Sequence, residues 1–225
     1  TDTPTALPPR GIQLEAGVTD DQVPGSRYVS AGETLLRVGV APHTEIRLFG
    51  NSYATRTVAS APAASGMEDP KIGAKVNLRS VADSVHSSLP NVAVLAAATL
   101  PIGARGFGAT HSQPELKLAA NWTTPSPFSA YMNVGYGQTY DGTRWGSHAW
   151  SSLALWYAAT PRVSLFGEGL AVGRLRGGAT AGNDLDAGIT FLINDRCQID
   201  LRAGHGVGSE TSQERFVGLG LAKRW

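Results

Sequence analysis

Alternation with a period of two runs through most of this chain. Over residues 216–225 (FVGLGLAKRW) one parity reads Val217, Leu219, Leu221, Lys223 and Trp225, and the other reads Phe216, Gly218, Gly220, Ala222 and Arg224. One face is apolar and ends in an aromatic ring, and the other is small or polar. Such a strand suits a wall with lipid on one side and water on the other. The pattern recurs upstream. Ile72, Ala74, Val76 and Leu78 alternate with Lys71, Gly73, Lys75, Asn77 and Arg79. Leu116, Leu118, Ala120 and Trp122 alternate with Glu115, Lys117, Ala119 and Asn121. Leu185, Ala187, Ile189, Phe191 and Ile193 alternate with Asp184, Asp186, Gly188 and Thr190. Read this way throughout, the chain predicts about twelve strands of roughly the length that crosses a bilayer when tilted, the first over Gly11–Thr19 and the last ending at Trp225.

The connections sort by length. Those near 41–44, 124–127, 160–162 and 194–196 are short and carry Pro or Asn-Asp, whereas 20–25, 59–69, 102–114, 141–146, 174–183 and 206–214 are longer and rich in Gly, Ser, Asp or Arg. Only the connection 80–90 departs from this order. An even strand count puts both chain ends on one side, and short turns there with long loops opposite are the outer-membrane pattern. The expected fold is therefore all-β: a single antiparallel up-and-down transmembrane β-barrel of about 12 strands over residues 11–225, with a soluble all-β sandwich as the competing fold. A closed sheet also removes the open edge that lipid would not tolerate. Residues 1–10 carry Pro4, Pro8 and Pro9 and no period. They read as an extended periplasmic tail that either stays free or folds back into the barrel mouth. Trp122, Tyr136, Tyr157 and Trp225 fall towards the ends of apolar faces, where interfacial girdles sit.

Composition narrows the classes of function. The chain has 225 residues, a formal net charge of +1 and only 16% charged residues, which gives no argument for a nucleic-acid partner. Apolar runs are too short for a membrane-spanning helix, which needs about 20 residues. The single cysteine, Cys197, precludes an intrachain disulfide. The chain starts at Thr1, which leads us to expect a processed product whose removed segment was a secretion signal.

The inward parity collects the candidate functional residues. Glu15, Arg37, Glu45, Arg47, Lys71, Lys75, Arg79, Glu115, Lys117, Glu168, Asp184, Asp186, Asp200, Arg202 and Arg224 are expected to line the lumen. Glu33 shares this parity, and with it the signs balance, so pairing across strands is expected, because unpaired charges in a narrow barrel are costly to desolvate. Barrels of about eight strands are filled by side chains and those of 16–18 hold open channels, so about twelve strands predict a narrow or partly blocked path. Charged rungs along such a path choose solutes.

An outer-membrane barrel enzyme, a lipid or ester hydrolase, is the competing class. His205 lies near Asp200, with Ser209 and Ser212 in the next loop, but the chain has no nucleophile-elbow sequence. Metal spacing such as H-E-x-x-H is absent, and the Gly-rich stretches 103–108 and 204–208 open no helix that would cradle a phosphate. No metal or cofactor is therefore expected. A non-conducting barrel that anchors a partner is a third class.

Three stretches resemble one family. Residues 66–75 (GMEDPKIGAK) are similar to its G-x-x-D-x-x-I-G-x-K opening, residues 91–103 end on Leu100-Pro101-Ile102-Gly103 as does its L-P-x-G strand, and 183–200 (NDLDAGITFLINDRCQID) resemble its penultimate hairpin. The family is that of the putative MetA pathway of phenol degradation, and the resemblance covers about Gly11 to Trp225. It implies a small barrel in the bacterial outer membrane, in contact with its lipids, that takes up small, often aromatic or hydrophobic solutes passively. This chain is short for the family.

Overall fold

The computed structural model describes residues 1–80, 89–123, 126–176, 182–208 and 214–225. Fifteen strands form among them: β1 (Ile12–Val23), β2 (Ser26–Ala31), β3 (Leu35–Ala41), β4 (Thr44–Phe49), β5 (Tyr53–Val58), β6 (Ala61–Met67), β7 (Lys71–Arg79), β8 (Asn91–Thr99), β9 (Pro114–Thr123), β10 (Phe128–Tyr140), β11 (Trp145–Ala158), β12 (Val163–Arg176), β13 (Gly182–Asn194), β14 (Cys197–Val207) and β15 (Arg215–Arg224). They make one antiparallel sheet that closes where β15 pairs with β1, from Gln13↔Arg224 to Gln22↔Arg215.

The wall has twelve strand positions. Three of them are broken in two: β2 with β3, β4 with β5, and β6 with β7. The lower part of β1, Ile12–Glu15, pairs with β3, and its upper part, Val18–Val23, pairs with β2. The first break falls at Gly32, whose φ of 76° suits a residue without Cβ. The ladder is carried across it because the Gly32 and Glu33 amides both donate to the Gly17 carbonyl. The expected loop 59–69 is in fact mostly β6, which pairs with β5 alone, whereas β7 continues the wall to β8. Residues 100–113 fold against β6: the Ala104 amide donates to the Met67 carbonyl at 2.7 Å, and the Asp69 carboxylate accepts from the Gly103 and Ala109 amides, both at 2.6 Å. The expected loops 141–146 and 174–183 are shortened by β11, β12 and β13, which run on past the membrane-length core. Most of the connection 80–90 (residues 81–88) and the turn at Thr124–Pro125 lie outside the described residues.

The two parities separate cleanly. Leu78 (62% exposed), Leu155 (60%), Leu219 (55%) and Leu118 (49%) point outward, whereas Ala93, Ala119 and Ala154 point inward and are 0–1% exposed. A soluble sandwich would bury those leucines between layers. Here the apolar set faces away from the molecule on strands such as β7, β9, β13 and β15, as a lipid-facing surface requires. Several outward aromatic residues gather near the two ends of the wall. Phe128, Tyr157 and Trp225 lie at the short-turn end with Trp122, and Tyr136, Tyr140 and Trp145 at the long-loop end. Phe128 packs on Tyr157 at 4.9 Å and Tyr140 on Trp145 at 5.5 Å.

An arginine on the lipid face tests this assignment. Leu118→Arg, mid-way along β9, is expected to cost about 2–4 kcal/mol in reversible unfolding from lipid vesicles, and Ile12→Arg, at the short-turn rim, about 0–1 kcal/mol.

Candidate functional site

The centre of the interior is a buried carboxylate. Glu45 on β4 is completely buried and lies opposite Lys75 on β7. Arg37 on β3 donates to its Oε1 from Nε at 2.9 Å and to its Oε2 from Nη2 at 2.8 Å, and the Lys75 ammonium sits 3.4 Å from Oε1. This two-point fork is the strong form of a guanidinium–carboxylate contact. It also relieves a conflict in the register, because Arg37 stands directly opposite Arg47. Glu15 adds a longer contact to Arg37 at 3.4 Å. The expected cross-strand pairing appears again between Lys71 and Glu115 at 3.2 Å.

One carboxylate at the hub does not balance Arg37, Arg47, Lys75 and the nearby Lys117. The N-terminal segment supplies a second. After β1 is followed back to Gly11, the chain turns over Gly39: the Arg10 amide donates to the Gly39 carbonyl at 2.8 Å, and the Gly11 amide to the Pro8 carbonyl at 2.9 Å. A Cβ on Gly39 would stand 1.9 Å from the Pro8 carbonyl oxygen, so this crossing requires a residue without a side chain. The segment then enters the barrel. The Leu7 amide donates to Glu45 Oε2 at 2.9 Å. The Thr5 carbonyl accepts from Arg37 and Lys75, and the Pro4 carbonyl accepts from Asn77. Asp2 lies between Arg47 Nη1 at 2.8 Å and Lys117 Nζ at 2.5 Å. Its backbone is clamped by Asn133, which accepts from the Asp2 amide at 2.8 Å and donates to its carbonyl at 2.9 Å. Thr1 reaches Ser152 and Glu168 on the far wall. Leu7 and Pro4 are buried. The tail, for which the sequence leaves both a free course and a fold back into the barrel mouth open, makes its polar contacts inside the barrel.

The charges that balance in number are segregated in space. Arg37, Arg47, Lys71, Lys75 and Lys117 occupy the arc from β3 to β9, largely covered by the N-terminal segment. Glu168, Asp184, Asp186 and Asp200 face them from β12 to β14, with Arg202 the one cation that the sequence placed among them. A cavity of about 640 Å³ lies along this second arc, lined by Glu15, Glu168, Asp186, Asp200, Trp156 and Phe166 among others. Arg224 bonds Gln13 Oε1 at 3.0 Å on the rim of the same cavity. Arg79 stands apart from these groups. A bulge between Asn77 and Arg79 sets it opposite Val92, which belongs to the outward set, and leaves it exposed.

The interior also carries aromatic rings that a search for charges passed over. Tyr131, Trp156 and Phe166 form a run across β10, β11 and β12, with Trp156 stacked on Phe166 at 4.9 Å. Trp150 lies over Gly135, where a Cβ would stand 2.2 Å from its ring, and Phe166 lies likewise over Gly188. These glycines let the rings lie along the wall and leave the lumen beside them open. The cations use the rings as walls: Lys117 Nζ is 4.9 Å from the centre of Trp150, and the Arg47 guanidinium 5.3 Å from that of Phe49. The only hydrogen-bond contact of the His205 ring among the described residues is between Nδ1 and the Gly206 carbonyl at 2.9 Å, and Ser209 and Ser212 lie outside those residues.

Comparison with known proteins places this geometry. A family model described as the Putative MetA-pathway of phenol degradation matches residues 1–225. No curated protein matches the chain by sequence. Among solved structures, an outer membrane channel from Pseudomonas putida F1 is similar at 11% identity, with a TM-score of 0.73 over 98% of this chain and 97% of that one. The translocator domain of the autotransporter NalP from Neisseria meningitidis is similar at 13% identity, TM-score 0.60, over 96% and 88%. The CymD monoaromatic hydrocarbon channel is similar at 8% identity, TM-score 0.51, over 97% and 89%. At such identities the likeness is one of fold.

Two outcomes follow from the hub. Glu45→Gln keeps the volume but leaves Arg37 and Lys75 without their carboxylate, so the barrel is expected to lose about 3–5 kcal/mol in reversible urea unfolding. The second concerns Asp2. Burial disfavours its charged form, but Arg47 and Lys117 outweigh burial and hold its carboxyl well below the usual carboxylate range. A depressed pKa in the docked state stabilises docking above the ordinary pKa and loses that contribution as the pH falls. The Leu7 methyl resonances are expected to keep their docked positions from neutral pH down to about 4 and to move towards free-chain positions below it.

Proposed function

Since the chain belongs to the family of the putative MetA pathway of phenol degradation, which its model matches over residues 1–225, we propose that it is an outer-membrane channel for passive uptake of small aromatic or hydrophobic solutes. The first wall strand begins and the last one ends at the short-turn end, which we take as periplasmic, with the lipid-facing band in the outer-membrane bilayer. The observation that carries the reading is the path itself. The wall is closed and greasy outside, and the interior holds a cavity of about 640 Å³ beside the N-terminal segment. Side chains do not fill the barrel; the chain's own first residues narrow it. The stacked Trp156 and Phe166 in that cavity give an apolar surface along which a ring can slide past the carboxylates. The likeness to a monoaromatic hydrocarbon channel agrees with that surface.

Reconstitution in planar bilayers tests this. The full chain is expected to conduct weakly. Gly39→Val places side-chain atoms where the Pro8 carbonyl runs and alters no charged residue, so it unseats the segment and raises single-channel conductance several-fold. Removal of residues 1–8 gives the same increase. Silence of all three proteins in the bilayer would refute the channel.

A further inference from the structure

We propose that Arg47 and Lys117 form a carboxylate-binding site, that Asp2, its backbone held by Asn133, is the resident ligand, and that a small aromatic carboxylate competes with Asp2 and so releases the N-terminal segment. The proposal rests on the channel reading for its consequence, release of the path, but the site itself stands on separate geometry.

The site is built for an anion of this shape. Two cations on different walls converge on the two oxygens of one carboxylate, Arg47 at 2.8 Å and Lys117 at 2.5 Å. Arg47 is itself buried, and its Nε has no hydrogen-bond partner among the described residues, with Glu45 Oε1 4.0 Å away. Asn133, 1% exposed, offers one acceptor and one donor to the atoms next to that carboxylate. The acidic neighbours are engaged mainly elsewhere: Glu45 is held by Arg37 and Lys75 and reaches Arg47 Nε only at 4.0 Å, and Glu115 is held by Lys71. Without Asp2 the arc would hold a surplus of positive charge in a confined space, which strengthens attraction for any anion that enters.

The flanking surfaces select the rest of the ligand. Each cation lies over an aromatic face, Arg47 over Phe49 and Lys117 over Trp150. A ring attached to the carboxylate finds Phe49 and Trp150 beside it, and an aliphatic acid does not use them equally well. Asp2 borders the larger cavity on one side; on the other, bounded by Arg47, Phe49, Glu115 and Lys117, the space left beside it amounts to about 10 Å³. That is room for about one water molecule and not for a second carboxylate. Both cations are taken by the Asp2 carboxylate, so a solute acid can engage the pair only where Asp2 has left, and binding at this site and undocking are one equilibrium. The apparent affinity of a competitor is then lowered by the fraction of molecules in which Asp2 is seated.

The test uses the full chain in detergent and benzoate as the probe, at constant ionic strength because the contacts are charged. Asp2→Ala frees the cations without touching the wall, so benzoate is expected to bind it at least tenfold more tightly than the unaltered chain by titration calorimetry. Acetate should bind more weakly than benzoate, and benzamide, which keeps the ring and lacks the charge, should not bind. Lys117→Met in the Asp2→Ala background is expected to abolish binding and Lys117→Arg to retain it. In bilayers, benzoate should raise the conductance of the unaltered chain and leave Asp2→Ala unchanged. Equal benzoate affinity with and without Asp2, or binding of benzamide as strong as that of benzoate, overturns the proposal and leaves the channel reading intact. Competitive benzoate binding by a protein silent in every bilayer experiment upholds the site and refutes the channel.

Discussion

Pairing of the first strand with the last is the constraint on which everything else rests. In hydrocarbon an unpaired backbone group costs several kcal/mol, so a sheet that crosses lipid must have no edge. The ten-residue register between β1 and β15 removes that edge. Closure then fixes what each parity may be. Outward positions meet lipid and must be apolar along the whole wall. Inward positions meet one another across a confined space, so they can be charged only if partnered. The three broken strand positions show how strictly closure is kept: the strands change course at Gly32 and near Gly50, while amides such as those of Gly32, Glu33 and Gly50 still find carbonyls on the adjoining chain.

A confined interior with many charges has few ways to be stable. This protein separates its charges into a basic arc and an acidic arc and lays its own N-terminal segment against the basic one. Glu45 balances Arg37 and Lys75, and Asp2 balances Arg47 and Lys117. The segment is thereby both a structural counter-ion and a barrier. Those two roles are linked, since whatever weakens the hold on Asp2 also widens the path. The acidic arc is left facing the cavity with an aromatic surface between its carboxylates. Wall, charge pattern and docked segment are consequences of one another: the wall creates the confined space, the space demands compensation, and compensation narrows the space.

The wall was legible in the sequence because its cause is local. Strands such as β7, β9, β13 and β15 meet lipid on one side and polar groups on the other, so the alternation is written residue by residue. Strand β6 (APAASGM) was read as a loop because it has no such asymmetry: nearly all of its residues are exposed on both faces. The inward charges followed from parity, except at Arg79, where a bulge shifts the register and no sequence signal marks it. The inward rings were present in the same parity, but their setting depends on which glycine lies next door. Gly135 beneath Trp150 and Gly188 beneath Phe166 become neighbours only once register is known. The N-terminal segment was hardest to read. Its side-chain partners lie 32 to 167 residues away in the chain, and a tail of Pro, Thr and Asp looks alike whether bound or free. The sign that could have been weighed is Gly39, an inward position close to the short-turn end that has no side chain.

The most direct test of the account is amide hydrogen exchange at Asp2 and Leu7 in the full chain folded in lipid. These amides donate to Asn133 and to the buried Glu45. If the segment is seated as described, both exchange far more slowly than the same residues in a free peptide, at rates tied to release of the segment. Exchange at free-peptide rates for both, in a barrel whose wall amides remain protected, would show that the segment is not inside and would contradict the account.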